Sequence, residues 1–210
     1  MGPNVLKATT NQITPTVLEL LGIKVGASLF NVPVPFPRVA FIIVSYLGLP
    51  DVIKYKPKAI LSKSNYIVTL FPVNNRGFDG ILKELFSFQQ YNLFNLLERV
   101  GRKYLLIYNE NVDVDIFNDT ESKIKIKDDM SAYVKTVQWI NRKNFILSHF
   151  FIPEDLHRDD SQIKKQVKKI DNFINLIYKQ AHKPATLIYT LIPAEITSNS
   201  LPISFFAFKV

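Results

Sequence analysis

Cysteine, glycine and histidine are scarce in this 210-residue chain, and each scarcity excludes a kind of chemistry. The absence of cysteine excludes disulfides, thiolate metal sites and a cysteine nucleophile. Among the 7 glycines, Gly77 and Gly80 lack both the strand–loop–helix context and the Lys-Ser/Thr pair of a phosphate-cradling loop. The longest apolar run, residues 39–47, is far shorter than the roughly 20 residues of a membrane span. The first residues also lack the pattern of a signal peptide.

The three histidines give no metal or catalytic motif. His149 and His157 flank Glu154 and Asp155, but this spacing fits no zinc motif and indicates a polar loop after a strand. Ser148 precedes His149 without the Gly-x-Ser-x-Gly pattern of a nucleophile elbow. The sequence therefore predicts no catalytic residue, no metal site, no cofactor and no enzymatic activity.

Basic residues exceed acidic ones, which gives a formal charge of +8. The excess indicates either an anionic partner, such as nucleic acid or a membrane surface, or a lysine-rich solvated surface. Four lysines lie on a predicted helix and could meet phosphates, an acidic patch or solvent: Lys164, Lys165, Lys168 and Lys169. No aromatic residue interleaves with them for base stacking, which argues against nucleic acid.

The chain divides at residue 38 into a predicted N-terminal extended arm, 1–38, and a single domain, 39–210. The arm has one short predicted helix at 14–22 and an extended segment at 32–37, where prolines alternate with other residues. Such an arm is suited to lie across a neighbouring subunit.

Strands outnumber helices in residues 39–210. Helices are predicted near 78–98, either kinked or split in two, and at 162–182, where apolar residues repeat at helical spacing. One or two strands are predicted over 59–71, most clearly at 66–71, and the apolar run 39–47 is a buried strand or helix. Further strands are predicted at 103–109, 123–127, 131–140, 145–152, 185–192 and 202–209, and residues 141–144 read as a hairpin connection. Without β-α-β alternation, the pattern predicts a mainly β fold, an antiparallel β-sandwich or jelly roll with attached helices.

The C-terminal third carries a family resemblance. A helix, a Lys-Pro break and two strands include Phe173, Lys183, Pro184, Glu195, Phe208, Lys209 and Val210. Their order and spacing resemble the baculovirus polyhedrins and granulins, and a divergent nudivirus occlusion protein would suit the pattern. The resemblance implies a jelly-roll viral occlusion-body matrix protein without enzymatic activity.

The same resemblance implies the partners and the location. The chain would assemble with itself, as a trimer and then a crystal lattice in the host nucleus, and would enclose virions without binding a small-molecule substrate. With 9 tyrosines, all assumed to titrate near their ordinary pKa, such a lattice would become strongly negative above roughly pH 11 and dissolve. Two other hypotheses are a nucleic-acid-binding or capsid-type viral protein and a crystal-forming, membrane-active toxin.

Overall fold

A single eight-stranded sheet forms the centre of the molecule. The computed structural model describes residues 3–74, 77–89, 91–112, 120–153, 159–193, 196–197 and 199–210. Two short strands, β4 (Ser87–Phe88) and β5 (Tyr91–Asn92), pair apart from this sheet. In spatial order the strands of the large sheet are β1 (Asn4–Thr9), β3 (Tyr66–Phe71), β10 (Ile203–Lys209), β9 (Ala185–Ile192), β2 (Val39–Ser45), β8 (Phe145–Phe150), β6 (Tyr104–Asn109) and β7 (Lys123–Ile126).

The sheet is mostly parallel, so the predicted antiparallel sandwich or jelly roll is wrong. Among the described strands of the large sheet, β10 alone runs against its neighbours, β3 and β9. The pairs β1–β3, β9–β2, β2–β8, β8–β6 and β6–β7 are all parallel. The physical reason lies in burial: β2, β6, β8 and β9 are buried along their whole length, as in a sheet covered on both faces.

Two layers cover the sheet. The helical layer consists of α2 (Leu49–Tyr55), α3 (Lys58–Lys63), α6 (Asp129–Trp139) and α7 (Asp160–Gln180). The aromatic layer consists of α1 (Ile13–Leu20), α4 (Phe78–Leu85), α5 (Leu93–Arg99) and the segment 23–36. Each layer encloses its own apolar core against one face of the sheet.

The helices confirm some sequence predictions and overturn two. Residues 59–63, predicted as part of a strand, belong to α3. The helix predicted at 162–182 is α7, and the helix predicted at 14–22 is α1. The helix predicted near 78–98 is split into α4 and α5 by the β4–β5 pair. The strand predicted at 131–140 is wrong, because the buried residues Ala132, Thr136 and Ile140 recur every fourth position, which is the period of helix α6. Residues 141–144 therefore join a helix to β8 rather than two strands of a hairpin.

Residues 1–38 contribute to the sheet and to the aromatic layer. β1 pairs with β3, and Phe36 at the end of the proline-rich segment stacks on Phe208 of β10. Phe30 packs edge-on against Phe206 and Phe208. The segment thus covers the chain's own sheet, while the boundary at residue 38 stays a prediction.

None of the helices in the described part of the chain is long and apolar enough to cross a membrane.

Candidate functional site at the carboxyl edge of the sheet

The parallel strands bring distant parts of the chain to one edge of the sheet. β2, β3, β6, β8 and β9 all end there. In open α/β sheets, ligands bind in the crevice outside the carboxyl ends of the strands. The residues at this edge are therefore the first place to look for a functional site.

Three half-buried aromatic rings, which we call the aromatic cluster, lie at this edge: Tyr46, Phe78 and Phe151. The Tyr46 and Phe78 rings stack with their centroids 6.0 Å apart, and the Tyr46 and Phe151 rings meet edge-on at 5.8 Å. Tyr46 has a φ of 61°, which is the left-handed region and is unusual for a bulky side chain. Strained backbone of this kind concentrates at functional sites and costs about 1–3 kcal/mol.

His149 lies under the aromatic cluster and bonds to the neighbouring strand. Its ring centroid is 5.9 Å from that of Phe78 and 6.1 Å from that of Phe151. Its Nε2 is hydrogen-bonded to the Ser45 hydroxyl at 3.1 Å, and burial lowers the pKa of His149 to about 3. Both residues are fully buried, so the neutral pair fastens β2 to β8 and does not itself contact a ligand in this conformation.

The N-terminus of α4 opens at the same edge. α4 follows β3 and begins with Gly77 as its N-cap, and no described side chain caps its free N–H groups. No described residue would lie within 4 Å of a Cβ added at Gly77, so the described part of the chain leaves room at this position. At the starts of α2, α6 and α7, by contrast, backbone N–H groups donate to Asp51, Asp128 and Asp159, respectively.

Two carboxylates hold the backbone around this edge. Glu84 of α4 accepts hydrogen bonds from the N–H groups of Val73 and Asn74 at 3.0 and 2.8 Å, which ties the loop after β3 to α4. Asp129 accepts from the Phe151 N–H at 3.0 Å and from Gln166 Nε2 at 2.7 Å. Burial raises the pKa of Asp129.

The described residues contain no group of three or more His, Cys, Asp or Glu that could hold a metal ion. These described residues do not by themselves fit a metal centre. Glu154, Asp155 and His157 follow β8 in sequence and lie outside the described residues. Ser148 bonds to Thr136 at 2.5 Å, away from the adjacent His149.

The residues that suggested a viral protein are dispersed through the fold and form no common site. Phe173 is buried on α7 and stacks on Tyr133, with ring centroids 5.0 Å apart. Lys183 and Pro184 are exposed before β9, Phe208 lies on β10, and Val210 is exposed. Glu195 lies outside the described residues.

Lys209 has a structural contact. Its Nζ donates to the carbonyl oxygens of Tyr178, Lys179 and Ala181 at 2.6, 3.1 and 2.5 Å. These are carbonyls at the C-terminal end of α7 that lack a partner within the helix. Burial lowers the pKa of Lys209, and the side chain acts as a cap joining β10 to α7.

The residues of the edge were missed from sequence because they are far apart. Ser45 and His149 are separated by 104 residues, and only the parallel pairing of β2 with β8 brings them together. The one local signal was the end of the longest apolar run at Ser45-Tyr46, followed by Gly48. This signal indicates a functional site only once β2 is known to run parallel to its neighbours.

Comparison with known structures identifies the fold. The chain is similar to the C-terminal periplasmic domain of EcEptC from Escherichia coli, with a TM-score of 0.54 and 12% identity, over 84% of this chain and 74% of that one. Murine ectonucleotide pyrophosphatase/phosphodiesterase 5 gives a TM-score of 0.48 and 13% identity over 73% of this chain, which spans only 56% of that protein's length. No family model and no curated protein sequence matches the chain. The agreement with EcEptC shows a shared, alkaline-phosphatase-like fold.

This fold overturns the resemblance to the polyhedrins and granulins. The C-terminal helix and strands belong to a mostly parallel sheet. The predictions derived from that resemblance are corrected with it: the occlusion-body matrix, the partner virions, the absence of a small-molecule substrate and the absence of enzymatic activity. The capsid-type and toxin hypotheses gain no support from the fold either.

The nuclear location stays a prediction, because the fold does not test it. Dissolution at alkaline pH would require every tyrosine to titrate near its ordinary pKa, whereas burial raises the pKa of both Tyr104 and Tyr189.

Proposed function

We propose that this chain is the α/β domain of a phosphodiesterase- or phosphotransferase-type enzyme that acts on small phosphate esters. The phosphate would bind at the N-terminus of α4, and the organic group of the ester would pack on the aromatic cluster. The fold shared with EcEptC, a phosphoethanolamine transferase domain, supports this class. The chain spans about half of the length of the murine neighbour, so the activity of that protein is not carried over to it.

The open N-terminus of α4 beside the aromatic cluster carries the proposal. A helix N-terminus presents free N–H groups and a partial positive charge, which together bind phosphate. Phe78, the first residue of α4, also belongs to the aromatic cluster, so the two parts of the site are contiguous. The carboxylate of Asp79 in the first turn would repel an anion, but this side chain is exposed to solvent.

The roles of the other residues follow from their contacts. Glu84 fixes the loop before α4, and Asp129 fixes the backbone N–H of Phe151. The Ser45–His149 pair keeps β2 and β8 in register beneath the rings. These are positioning residues, because their contacts hold backbone segments and strands in place.

Turnover of a simple diester tests the reaction class. The purified chain should release p-nitrophenol from bis(p-nitrophenyl) phosphate in at least one condition of a series with Mg²⁺, Mn²⁺, Zn²⁺ or chelator. Transfer to an added alcohol, followed by ³¹P NMR, separates a transferase from a hydrolase. Absence of both reactions in every condition would show that the proposed activity is wrong.

Two substitutions at one position test the phosphate site. Gly77→Asp places a carboxylate in extended backbone at an N-cap, where it caps α4 and excludes an anion. We expect it to keep the fold and to weaken p-nitrophenyl phosphate binding at least about tenfold, the scale of one charge-assisted hydrogen bond. The matched control is Gly77→Ala, whose Cβ would meet no described residue within 4 Å and brings no charge. Equal binding by the two variants, measured by calorimetry, would remove α4 from the site.

A further inference from the structure

The outer surface of the helical layer combines exposed lysines with exposed aliphatic side chains. On α7, Lys164, Lys165 and Lys168 are exposed, and none of them forms an ion pair with a described residue. On α2, Ile53 is 65% exposed, and on α6 Met130 and Val134 are 51% and 50% exposed. α7 contacts both α3, which follows α2, and α6. We call the surface formed by these exposed lysines and aliphatic residues the basic face.

The carboxylates of the basic face are already engaged within the chain. Asp160 pairs with Lys54 and accepts from the Tyr55 hydroxyl at 2.5 Å. Asp171 accepts from the backbone N–H groups of Ala59 and Ile60 at 3.0 and 2.9 Å, which caps α3. Asp159 caps α7 itself. α7 carries five lysines against the carboxylates of Asp160, Asp171 and its N-cap Asp159, so its surface has a net positive charge.

The arrangement differs from that of an ordinary solvated helix. Like-charged residues four apart, such as Lys164 and Lys168, destabilise a helix slightly. Large apolar side chains that point into water gain nothing by their exposure, whereas an anionic bilayer surface would bury them and attract the lysines. Nucleic acid fits less well, because the exposed apolar groups here are aliphatic and offer no ring for a base.

We propose that the basic face attaches this domain to the surface of a membrane that contains anionic lipids. Attachment would be peripheral, with the lysines at the level of the head groups and Ile53, Met130 and Val134 at their boundary with the acyl chains. α2 starts directly after the carboxyl end of β2, so the basic face reaches the edge that carries the α4 site. The inference is independent of turnover, since it rests on the surface of the helical layer alone.

Vesicle co-sedimentation of the full chain tests the attachment. The chain should bind vesicles of phosphatidylcholine with phosphatidylserine and should release on addition of salt, because screening weakens surface charge interactions. It should remain unbound with phosphatidylcholine alone, and the vesicles should retain an enclosed dye. Equal binding to the two vesicle types, or none to either, would overturn the proposal.

Charge reversal shows whether the basic face is the surface involved. K165E/K168E should weaken binding to the anionic vesicles at least about 30-fold, from roughly fivefold for each lysine removed. The control K24E/K103E makes the same change in net charge at exposed lysines off this face. Ile53→Ser should weaken binding several-fold without changing net charge. If the two double variants bind alike, the attraction is a property of net charge and the basic face has no special role.

Discussion

The two layers that cover the sheet are built in different ways. The helical layer is dominated by α7, whose apolar residues recur with helical spacing and whose outer surface is lysine-rich. The aromatic layer is made of short helices and an extended segment, held by contacts among Phe30, Phe36, Phe86, Phe94 and their neighbours. Regular structure thus covers one face, while ring packing covers the other and supplies Phe78 to the candidate site.

Truncation of one buried side chain in each layer should have the largest effect on the free energy of unfolding. Phe94→Ala removes a buried ring that contacts Phe86, Tyr104 and Phe145, and should lower the free energy of unfolding by about 3–5 kcal/mol. Ile174→Ala in α7 should cost about 2–5 kcal/mol. Urea unfolding measures both variants. A loss below about 1 kcal/mol for Phe94→Ala would show that the aromatic layer is a loose cover and not a packed core.

The free energy of unfolding should fall in acid, because His149 is buried between the sheet and the aromatic cluster. The folded pKa of His149, about 3, lies below its ordinary value of 6.5, so the unfolded chain takes up a proton first as pH falls. The contribution to stability is complete above pH 6.5 and is lost progressively down to pH 3, amounting to about 3 kcal/mol between pH 7 and pH 4.

The matched variants for this prediction are His149→Gln and His182→Gln. Glutamine at 149 can keep the bond to Ser45 but does not titrate, so its unfolding free energy should fall less between pH 7 and pH 4 than that of the parent chain. His182 is exposed and lies outside the Ser45–His149 pair, so His182→Gln is the control for removing a histidine elsewhere. Parallel pH profiles for all three proteins would contradict the assignment.

The smallest expected effect concerns the cap between β10 and the helical layer. Lys209→Met keeps the length of the side chain but leaves three carbonyl oxygens of the α7 end without their donor. We expect a loss of about 1 kcal/mol in the free energy of unfolding, measured by urea titration. Lys179→Met, at an exposed lysine on the same helix, is the control and should change stability by less than about 0.5 kcal/mol.

The elements were more predictable from sequence than their arrangement. The period of α7 and the apolar runs of β3, β6, β8 and β9 identified these elements because local burial fixes their pattern. The residues of a fully buried strand do not show whether its neighbours run parallel or antiparallel to it. The sequence therefore predicted an antiparallel sheet. The prediction for residues 131–140 is wrong for a related reason. Tyr133, Val134 and Val137 favour strands, but α6 packs on β8, and these tertiary contacts override the local preference.

The candidate site was not predictable for the same reason. Tyr46 follows β2, Phe78 is the first residue of α4 and Phe151 follows β8, and no spacing in the sequence links the three. In sequence, Gly77 matches no known glycine motif. Its importance comes from the start of α4, where no carboxylate of the described residues accepts a backbone N–H, whereas Asp51, Asp128 and Asp159 do so at the starts of α2, α6 and α7.

The position of β10 has a consequence for the order in which the sheet can form. β10 lies between β3 and β9, yet it follows both of them in the chain. During synthesis, the pair β1–β3 therefore has no partner strand through which to join the block from β9 to β7 until residues 203–209 have left the ribosome. The nascent chain would carry two separate β-sheets with unpaired inner edges, and unpaired edges invite association with other chains. Completion of this domain is in that sense a closing step, in which one late strand joins two earlier sheets.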